Sequence, residues 1–499
     1  MGVVRLQSIK NSVSFYLGMA IGAINTVFIY PYAFEDNPEY FGLIQVIIAY
    51  SILVATITTV GVPKVFLRFF PEIKSKSQLY FFSLITPLIG FLAALLLYFL
   101  FKEQLFSIIN ASDLLKDNFF YIIILVFFIG FFDILTAISR SFLDSTTPVF
   151  INEVFLKIYS MSMLFLYWFG FLSFDNFLKI YFFGFFLKFI ILFIIQIKNK
   201  RISLSYTFAA LNLKEILKFG LFVLIGGASV VIVTRMDIMM ISSLLDLEQV
   251  AFYTIAFFIG NALRIPSKAI VAISTPLLAK AWKEQDFNEI NSIYSKSALN
   301  LLIVGGVFFT CVWINIDQIF SLLPEKFSAG KFVVFYIGLS QLFNISFGVN
   351  TDIIVNSKYY KYDLYTNLFL VVSTFLTNYL LIPSSSPLAH FGIVGINGAA
   401  MATAISILLF NILKLTIIKI KMDLQPFSMN TLKTLFFLFL VYYIVLYLPL
   451  TNIPLFDLFY RSVIICLLFI PLVLYFKLSE DLISLFNDFK KSLLSKYSK

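Results

Sequence analysis

Four ionisable residues lie inside two consecutive apolar stretches of the chain. The first stretch, FGLFVLIGGASVVIVTRMDIMMISSLL, contains Arg235 and Asp237, and the next contains Arg264 and Lys268. A charged side chain at membrane depth costs roughly 2.5–3.5 kcal/mol on insertion scales, so it usually faces a protein interior or a water-filled path. The two stretches therefore predict a polar chamber inside a membrane protein.

Three of these residues are basic, and their spacing indicates what the chamber binds. Arg264 and Lys268 are four residues apart and share one helical face, and Pro266 between them is expected to bend the helix. With Arg235 they predict a cationic patch for a phosphate or another anionic head group, which an arginine holds through two parallel hydrogen bonds. The structural alternative is that Asp237 or Asp246 neutralises Arg235 while Lys268 snorkels to the cytoplasmic membrane interface.

The first half of the chain contains a further stripe of ionisable residues. Asp133, Ala137, Arg140 and Asp144 fall on one face of a predicted helix. Arg140 and Asp144 are expected to pair with each other near the end of that helix. Asp133 lies deeper and is a candidate for proton or cation coupling.

Three later residues complete the set of candidate charges. Glu153 and Lys157 are four residues apart and are predicted to pair. Lys188 has no partner nearby in the sequence, so we expect it to face the cavity.

The remaining polar residues and the cysteines do not indicate a catalytic or metal site. Asparagines within the apolar stretches are expected to hydrogen-bond between helices; they are Asn25, Asn261, Asn344, Asn350 and Asn378. The single histidine, His390, argues against a histidine-based metal site or catalytic triad, and Cys311 and Cys466 fit small core residues. Nucleotide-binding motifs are absent from the sequence. We therefore expect no catalytic residue, no metal and no cofactor.

The elements that must position these residues are membrane-spanning helices. Of the 499 residues, 60% are hydrophobic and 13% are charged, and the mean hydropathy is +0.94. About 20 apolar residues cross a bilayer as a helix, which satisfies its backbone hydrogen bonds internally. We therefore predict an all-α polytopic membrane protein with about 14 spans, at residues 12–34, 42–66, 79–101, 119–139, 148–170, 176–197, 217–243, 250–273, 297–322, 331–355, 362–383, 391–418, 432–450 and 457–476.

The distribution of Lys and Arg predicts the orientation. The net charge of +10 does not indicate nucleic acid binding, because the basic residues are spread over alternate connections between spans. The richest of these connections holds Lys198, Lys200 and Arg201. The intervening connections are poor in Lys and Arg, except near Lys102 to Lys116 and Lys326 to Lys331, where acidic residues accompany the basic ones. The positive-inside rule places the basic connections and both termini in the cytoplasm.

The longest basic connection, residues 198–218, divides the chain into two halves. Similar acidic-aromatic turns at residues 35–42 and 246–253 indicate an internal repeat, as in transporters whose substrate path lies between repeats. The predicted parts are a six-helix lobe over residues 1–200, a second over 201–425, two additional helices over 426–476 and an amphipathic cytoplasmic tail over 477–499.

Three segments carry a resemblance to a known family. They are PYAFEDNPEYFGLIQ, TRMDIMMISSLLDLEQVAFYTIA and the small-residue segment FGIVGINGAAMATAIS, whose glycines and alanines let helices approach closely. With the fourteen-span layout they resemble the polysaccharide flippases of the multidrug/oligosaccharidyl-lipid/polysaccharide exporter superfamily over essentially the whole chain.

The resemblance implies a V-shaped pair of six-helix lobes around a central cationic cavity. It implies alternating access that passes a polyprenyl-pyrophosphate-linked oligosaccharide across the bacterial inner membrane for O-antigen-type polysaccharide or lipopolysaccharide biosynthesis. It assigns the head group to Arg235, Arg264, Lys268 and Lys188, and ion coupling to Asp133 and Asp237. The implied partners are that substrate, the lipid bilayer, a polysaccharide polymerase and other assembly proteins, with no nucleic acid, and the resemblance favours a monomer.

Other functions stay open. A cation-coupled multidrug exporter of the same superfamily is the main alternative, although such exporters typically have twelve spans and more acidic lobes. Peptidoglycan-precursor flippases typically have arginines inside their first helices. The first predicted span of this chain contains no arginine. A membrane-embedded polymerase or glycosyltransferase is expected to carry a large periplasmic loop or acidic catalytic motifs, and neither is visible.

Overall fold

The computed structural model describes residues 2–73, 75–202, 205, 207, 211–484, 486 and 488, and all regular secondary structure within these residues is helical. This confirms the predicted all-α polytopic class. The main helices are α1 (Leu6–Ala33), α2 (Pro38–Thr58), α3 (Val62–Phe69), α4 (Lys76–Ile108), α5 (Phe120–Ser141), α6 (Thr146–Trp168), α7 (Phe174–Lys198), α8 (Leu213–Leu244), α9 (Leu247–Asn261), α10 (Ile265–Glu284), α11 (Phe287–Ile314), α12 (Lys331–Ser346), α13 (Asn350–Asn356), α14 (Lys361–Leu381), α15 (Gly395–Met422), α16 (Met429–Leu446) and α17 (Pro454–Tyr475).

The number of continuous spans is lower than predicted. The described residues contain twelve helices long and apolar enough to cross a membrane, or thirteen when the pair bent by 44° between α12 and α13 is counted as one span. Gly348 lies at that bend with φ of +62°, a conformation that glycine adopts at little cost. The span predicted at residues 250–273 is a broken helix: the 3-10 turn Ala262–Arg264 separates α9 from α10 just before Pro266.

The chain divides into two compact units, Met1–Ile255 and Ala256–Lys499. In the first unit, α2 packs against α5 and α8, and α7 packs against α5 and α6. Their apolar faces bury side chains such as Leu135, Leu192 and Ile216. The division into lobes after residue 200 remains a prediction.

The second unit is built around α15, which packs against α12 and α14. A Cβ atom on Gly398 would lie 1.9 Å from the carbonyl oxygen of Leu381. Only glycine therefore permits this close approach of α15 to the end of α14, as expected for the small-residue segment.

The last two helices, α16 and α17, pack against each other and against α11. Arg461 on α17 is only 5% exposed, and its guanidinium group donates hydrogen bonds to the carbonyl oxygens of Ile314 at 3.0 Å and Val445 at 3.4 Å. These carbonyls belong to the last turns of α11 and α16, where helical partners are missing. Arg461 therefore joins α17 to the ends of α11 and α16.

The chain after α17 docks onto the same helices. Ser479 Oγ donates to Asn300 Oδ1 at 2.5 Å, and Asn300 Nδ2 donates to Asp481 Oδ2 at 2.8 Å. The carbonyl oxygen of Leu478 accepts a hydrogen bond from Asn430 Nδ2 at 3.0 Å. Residues 485, 487 and 489–499, which include most of the predicted amphipathic tail, lie outside the described residues.

Candidate functional site

A buried lysine lies at the centre of the polar groups in the first unit. Lys188 on α7 is 5% exposed, and its ammonium group donates a hydrogen bond to Asn152 Oδ1 at 3.2 Å. It also lies 4.5 Å and 4.9 Å from the ring centroids of Phe132 and Phe185. Among the described residues no carboxylate forms a direct ion pair with Lys188. The amide oxygen and the ring faces therefore stabilise this cation in place of an ion pair with a described carboxylate.

The neighbouring polar side chains on α6 form a continuous set. Glu153 and Lys157 pair at 3.0 Å, as predicted, and Asn152 Nδ2 donates to Glu153 Oε1 at 3.0 Å. The carbonyl oxygen of Lys157 accepts a hydrogen bond from Asn25 Nδ2 at 3.2 Å, as expected for an asparagine within a span. We call this set, together with Asp133, the N-terminal polar cluster: Asn25, Asp133, Asn152, Glu153, Lys157 and Lys188.

Two π-helical segments position this cluster. Asn25 lies in the segment Ile24–Ile29 of α1, and Asn152 and Glu153 lie in the segment Ile151–Phe155 of α6. A π-helical turn widens the helix locally and changes the direction in which side chains point, and such turns are frequent at functional sites. The sequence carries no local signal for them, and we did not predict them.

Asp133, on α5, lies beside Lys188 of α7. Its side chain is exposed, and it is within electrostatic range of Lys188 and Arg140. An accessible carboxylate next to a buried ammonium group is able to exchange a proton or to bind a cation. The geometry thus brings two of the predicted site residues, Asp133 and Lys188, into one neighbourhood.

The expected pairing of Arg140 with Asp144 is wrong. Asp144 accepts a hydrogen bond from Arg201 at 2.9 Å and another from the backbone N–H of Thr147 at 3.2 Å. Partial burial raises the pKa of Asp144, but the hydrogen bonds from Arg201 and Thr147 outweigh burial and bring that pKa below its ordinary value. The partner of Asp144 comes from a distant connection, so helical spacing alone did not identify it.

The two candidates on α8 have different surroundings. Arg235 is half-buried, and Asp237 is 5% exposed. The Tyr253 hydroxyl on α9 donates a hydrogen bond to Asp237 Oδ2. A buried carboxylate with a phenol donor is held in one orientation, which fits either a coupling role or a structural one.

Arg264 and Lys268 belong to the second unit. Arg264 ends the 3-10 turn that breaks the helix, and its carbonyl oxygen accepts a hydrogen bond from Ser267 Oγ at 2.7 Å. The side chains of Arg264 and Lys268 are both exposed. Because Arg235 belongs to the first unit, a single patch formed by all three remains a prediction.

The second unit contains a polar cluster that sequence reasoning missed. Lys414 on α15 is 1% exposed; its ammonium group donates to Asp363 Oδ1 at 2.9 Å and to Thr351 Oγ1 at 2.8 Å. Next to it, Asn350 Nδ2 donates to Asn411 Oδ1 at 2.8 Å. These side chains meet where α13 begins after the bend.

This second cluster extends to two further helices. Asn411 Nδ2 donates to Asn344 Oδ1 at 3.2 Å, and Thr275 Oγ1 donates to Asp352 Oδ1 at 3.0 Å. The predicted hydrogen bonding of Asn344 and Asn350 between helices was the only signal in the sequence. The charged members were missed because they are far apart along the chain.

Long apolar helices that carry buried and accessible charges define a polytopic membrane protein. The chain belongs to the polysaccharide biosynthesis protein family, which matches residues 8–282. No curated protein gives a significant match to the sequence.

Solved structures share this fold at low sequence identity. The lipid II flippase MurJ in an inward closed conformation superposes with a TM-score of 0.73 at 16% identity, over 96% of this chain and 99% of that one. An inward-facing multidrug resistance MATE family transporter of the MOP superfamily gives 0.61 at 15% identity, over 84% and 98%. A MOP superfamily transporter from Pyrococcus furiosus, described as having a binding pocket of reverse polarity, gives 0.52 at 13% identity, over 84% and 95%.

Proposed function

We propose that this protein is a flippase for polyprenyl-pyrophosphate-linked oligosaccharides. It moves the repeat units from the cytoplasmic to the periplasmic leaflet of the bacterial inner membrane by alternating access, and thereby supplies O-antigen-type surface polysaccharide. The observation that carries the proposal is the buried Lys188, a cation without an ion-pair partner among the described residues of a polysaccharide biosynthesis family member.

The chemistry of the proposed substrate matches these cations. A pyrophosphate bears negative charge that the membrane interior rejects, whereas its isoprenoid tail dissolves in lipid. Arg235 and Arg264 each offer a planar fork of donors to phosphate oxygens, and Lys188 and Lys268 add point charges. These side chains bind the pyrophosphate head group as it crosses the membrane, while the isoprenoid tail remains in the bilayer.

Asp133 and Asp237 are the proposed coupling residues. Protonating a carboxylate, or binding a cation to it, changes the charge of a buried region, and this biases the two conformations of a transporter differently. The accessible carboxylate of Asp133 next to Lys188 supports this role. A titration of that carboxylate alters the field at Lys188 and so links head-group binding to the ion.

A cation-coupled multidrug exporter is the second candidate. The fold similarity to the MATE family transporter and the accessible carboxylate of Asp133 favour it. The exposed Arg264 and Lys268 oppose it, because like charges repel a cationic drug. The flippase therefore fits the described side chains better.

Lipid analysis separates these functions. Cells depleted of this protein are extracted, and polyprenyl-pyrophosphate oligosaccharides are measured by mass spectrometry, with re-expression of the wild-type chain as control. Accumulation of one complete repeat unit with loss of surface polysaccharide is the expected result. An unchanged lipid pool with altered resistance to cationic drugs would establish the exporter instead, and a truncated unit would indicate a missing glycosyltransferase step.

A further inference from the structure

An apolar groove of about 610 Å³ lies in the first unit, between α1, α6 and α7. Its volume is in the range of small-molecule sites. Ile9, Val13 and Leu17 line it from α1, at a spacing of four residues that places them on one helical face. Their side chains are 53%, 52% and 51% exposed. These exposed apolar side chains therefore form a surface against which a hydrocarbon chain can pack.

Polar groups are gathered at one end of the groove. Lys10, Thr146 and Thr147 line this end, and Lys10 is exposed. The hydroxyl of Thr146 is buried and has no hydrogen-bond partner among the described residues. No acidic side chain lines the described groove. A cation and an unused hydroxyl at the end of an apolar channel complement an anionic head group on a hydrocarbon tail.

Hydrogen bonds fix this end of the groove. The side-chain amide of Gln7 donates to the carbonyl oxygen of Leu143, and Asn11 Nδ2 donates to Ser145 Oγ at 2.8 Å. Ser145 Oγ in turn donates to Gln7 Oε1 at 3.0 Å. The start of α1 is thus tied to the connection that precedes α6, so the groove exists before any ligand arrives.

We propose that the groove binds one anionic phospholipid of the surrounding bilayer. Its phosphate accepts hydrogen bonds from Lys10 and Thr146, and one acyl chain lies along Ile9, Val13 and Leu17. The predicted orientation places this end at the cytoplasmic leaflet, where anionic lipids attract basic residues. The site does not depend on which molecule the protein transports.

The test is native mass spectrometry of the purified full-length protein with an equimolar mixture of phosphatidylglycerol and phosphatidylcholine carrying identical acyl chains. We expect the wild-type protein to retain phosphatidylglycerol preferentially. Lys10→Gln is expected to reduce that preference about fivefold, since one lysine near an anionic surface contributes roughly this factor. Lys283→Gln, which removes an exposed lysine far along the chain in the second unit, is the matched control and should leave the preference unchanged.

A second pair of variants tests the tail. Leu17→Trp and Ile195→Trp fill the groove from opposite walls, and both are expected to lower retention of either lipid. Ile195→Trp adds bulk among packed helices, whereas Leu17 is half exposed, so Leu17→Trp keeps the test valid where Ile195→Trp fails to fold. Equal retention of the two lipids by the wild-type protein, or a Lys10→Gln preference equal to that of wild type, would overturn the proposal.

Discussion

Lys188 and Lys414 are two buried lysines that the fold stabilises in different ways. Lys188 has an amide oxygen and two aromatic faces around it, whereas Lys414 has a carboxylate and a hydroxyl, from Asp363 and Thr351. A buried ammonium group paired with a carboxylate is neutral as a unit, and its removal mainly affects stability. A cation without a paired acid is the better candidate for an anionic ligand.

Removing Asp363 tests the structural role of the second pair. Asp363→Ala removes the carboxylate that pairs with the nearly inaccessible Lys414, so we expect the free energy of unfolding to fall by about 3 kcal/mol. The exposed pair Lys331–Asp317, whose side chains are 37% and 72% exposed, supplies the control. Asp317→Ala should cost less than about 1 kcal/mol. Thermal unfolding of the purified variants measures both, and equal stability of the two variants would contradict the assignment.

Reversing the charge of the candidate arginines tests their role in transport. Arg235→Glu and Arg264→Glu replace an anion-binding fork with a like charge, so we expect polysaccharide export to fall about tenfold or more at unchanged membrane expression. Lys283→Glu makes the same charge change at an exposed position and should retain activity. Complementation of depleted cells provides the readout. Full activity of either arginine variant removes that arginine from the mechanism.

The elements of this protein depart from regular helices where polar residues gather. The π-helical segments Ile24–Ile29 and Ile151–Phe155 carry the N-terminal polar cluster. In the second unit, the bend at Gly348 brings the start of α13 to Lys414. An interrupted helix frees backbone groups and redirects side chains, so irregular backbone and buried polar residues occur together.

Arg461 provides a test at the level of helix ends. A lysine presents one compact ammonium group and does not reproduce the guanidinium fork that reaches both Ile314 and Val445. Arg461→Lys should therefore leave at least one buried carbonyl unpaired and lower stability by about 1–3 kcal/mol. Arg140→Lys, at an exposed position, is the control and should be neutral. Thermal unfolding in detergent distinguishes the outcomes. Unchanged stability of Arg461→Lys would show that the two carbonyls do not require the guanidinium group.

At the scale of the whole molecule, the arrangement of spans allows a test of orientation. Ser385 lies in a connection predicted to be periplasmic and is exposed, whereas Ser205 lies in the long basic connection predicted to be cytoplasmic. A cysteine at position 385 should react with an impermeant thiol reagent added to intact cells, and a cysteine at 205 should not. Both are introduced after Cys311 and Cys466 are replaced by serine. The opposite labelling pattern would reverse the predicted topology.

The sequence by itself determined the membrane class, the helical content and the family resemblance, because apolar runs and short motifs are local properties. It also identified the pair Glu153–Lys157, since a spacing of four residues fixes neighbours on a helix. Only the tertiary structure decided the pairing of Asp144 with Arg201 and of Lys414 with Asp363. Those pairs depend on which faces of distant helices pack together, and that is set by the shapes of many side chains at once. The same reason applies to the broken helix in place of a continuous span at residues 250–273, where packing and a local 3-10 turn override the hydrophobic length of the segment.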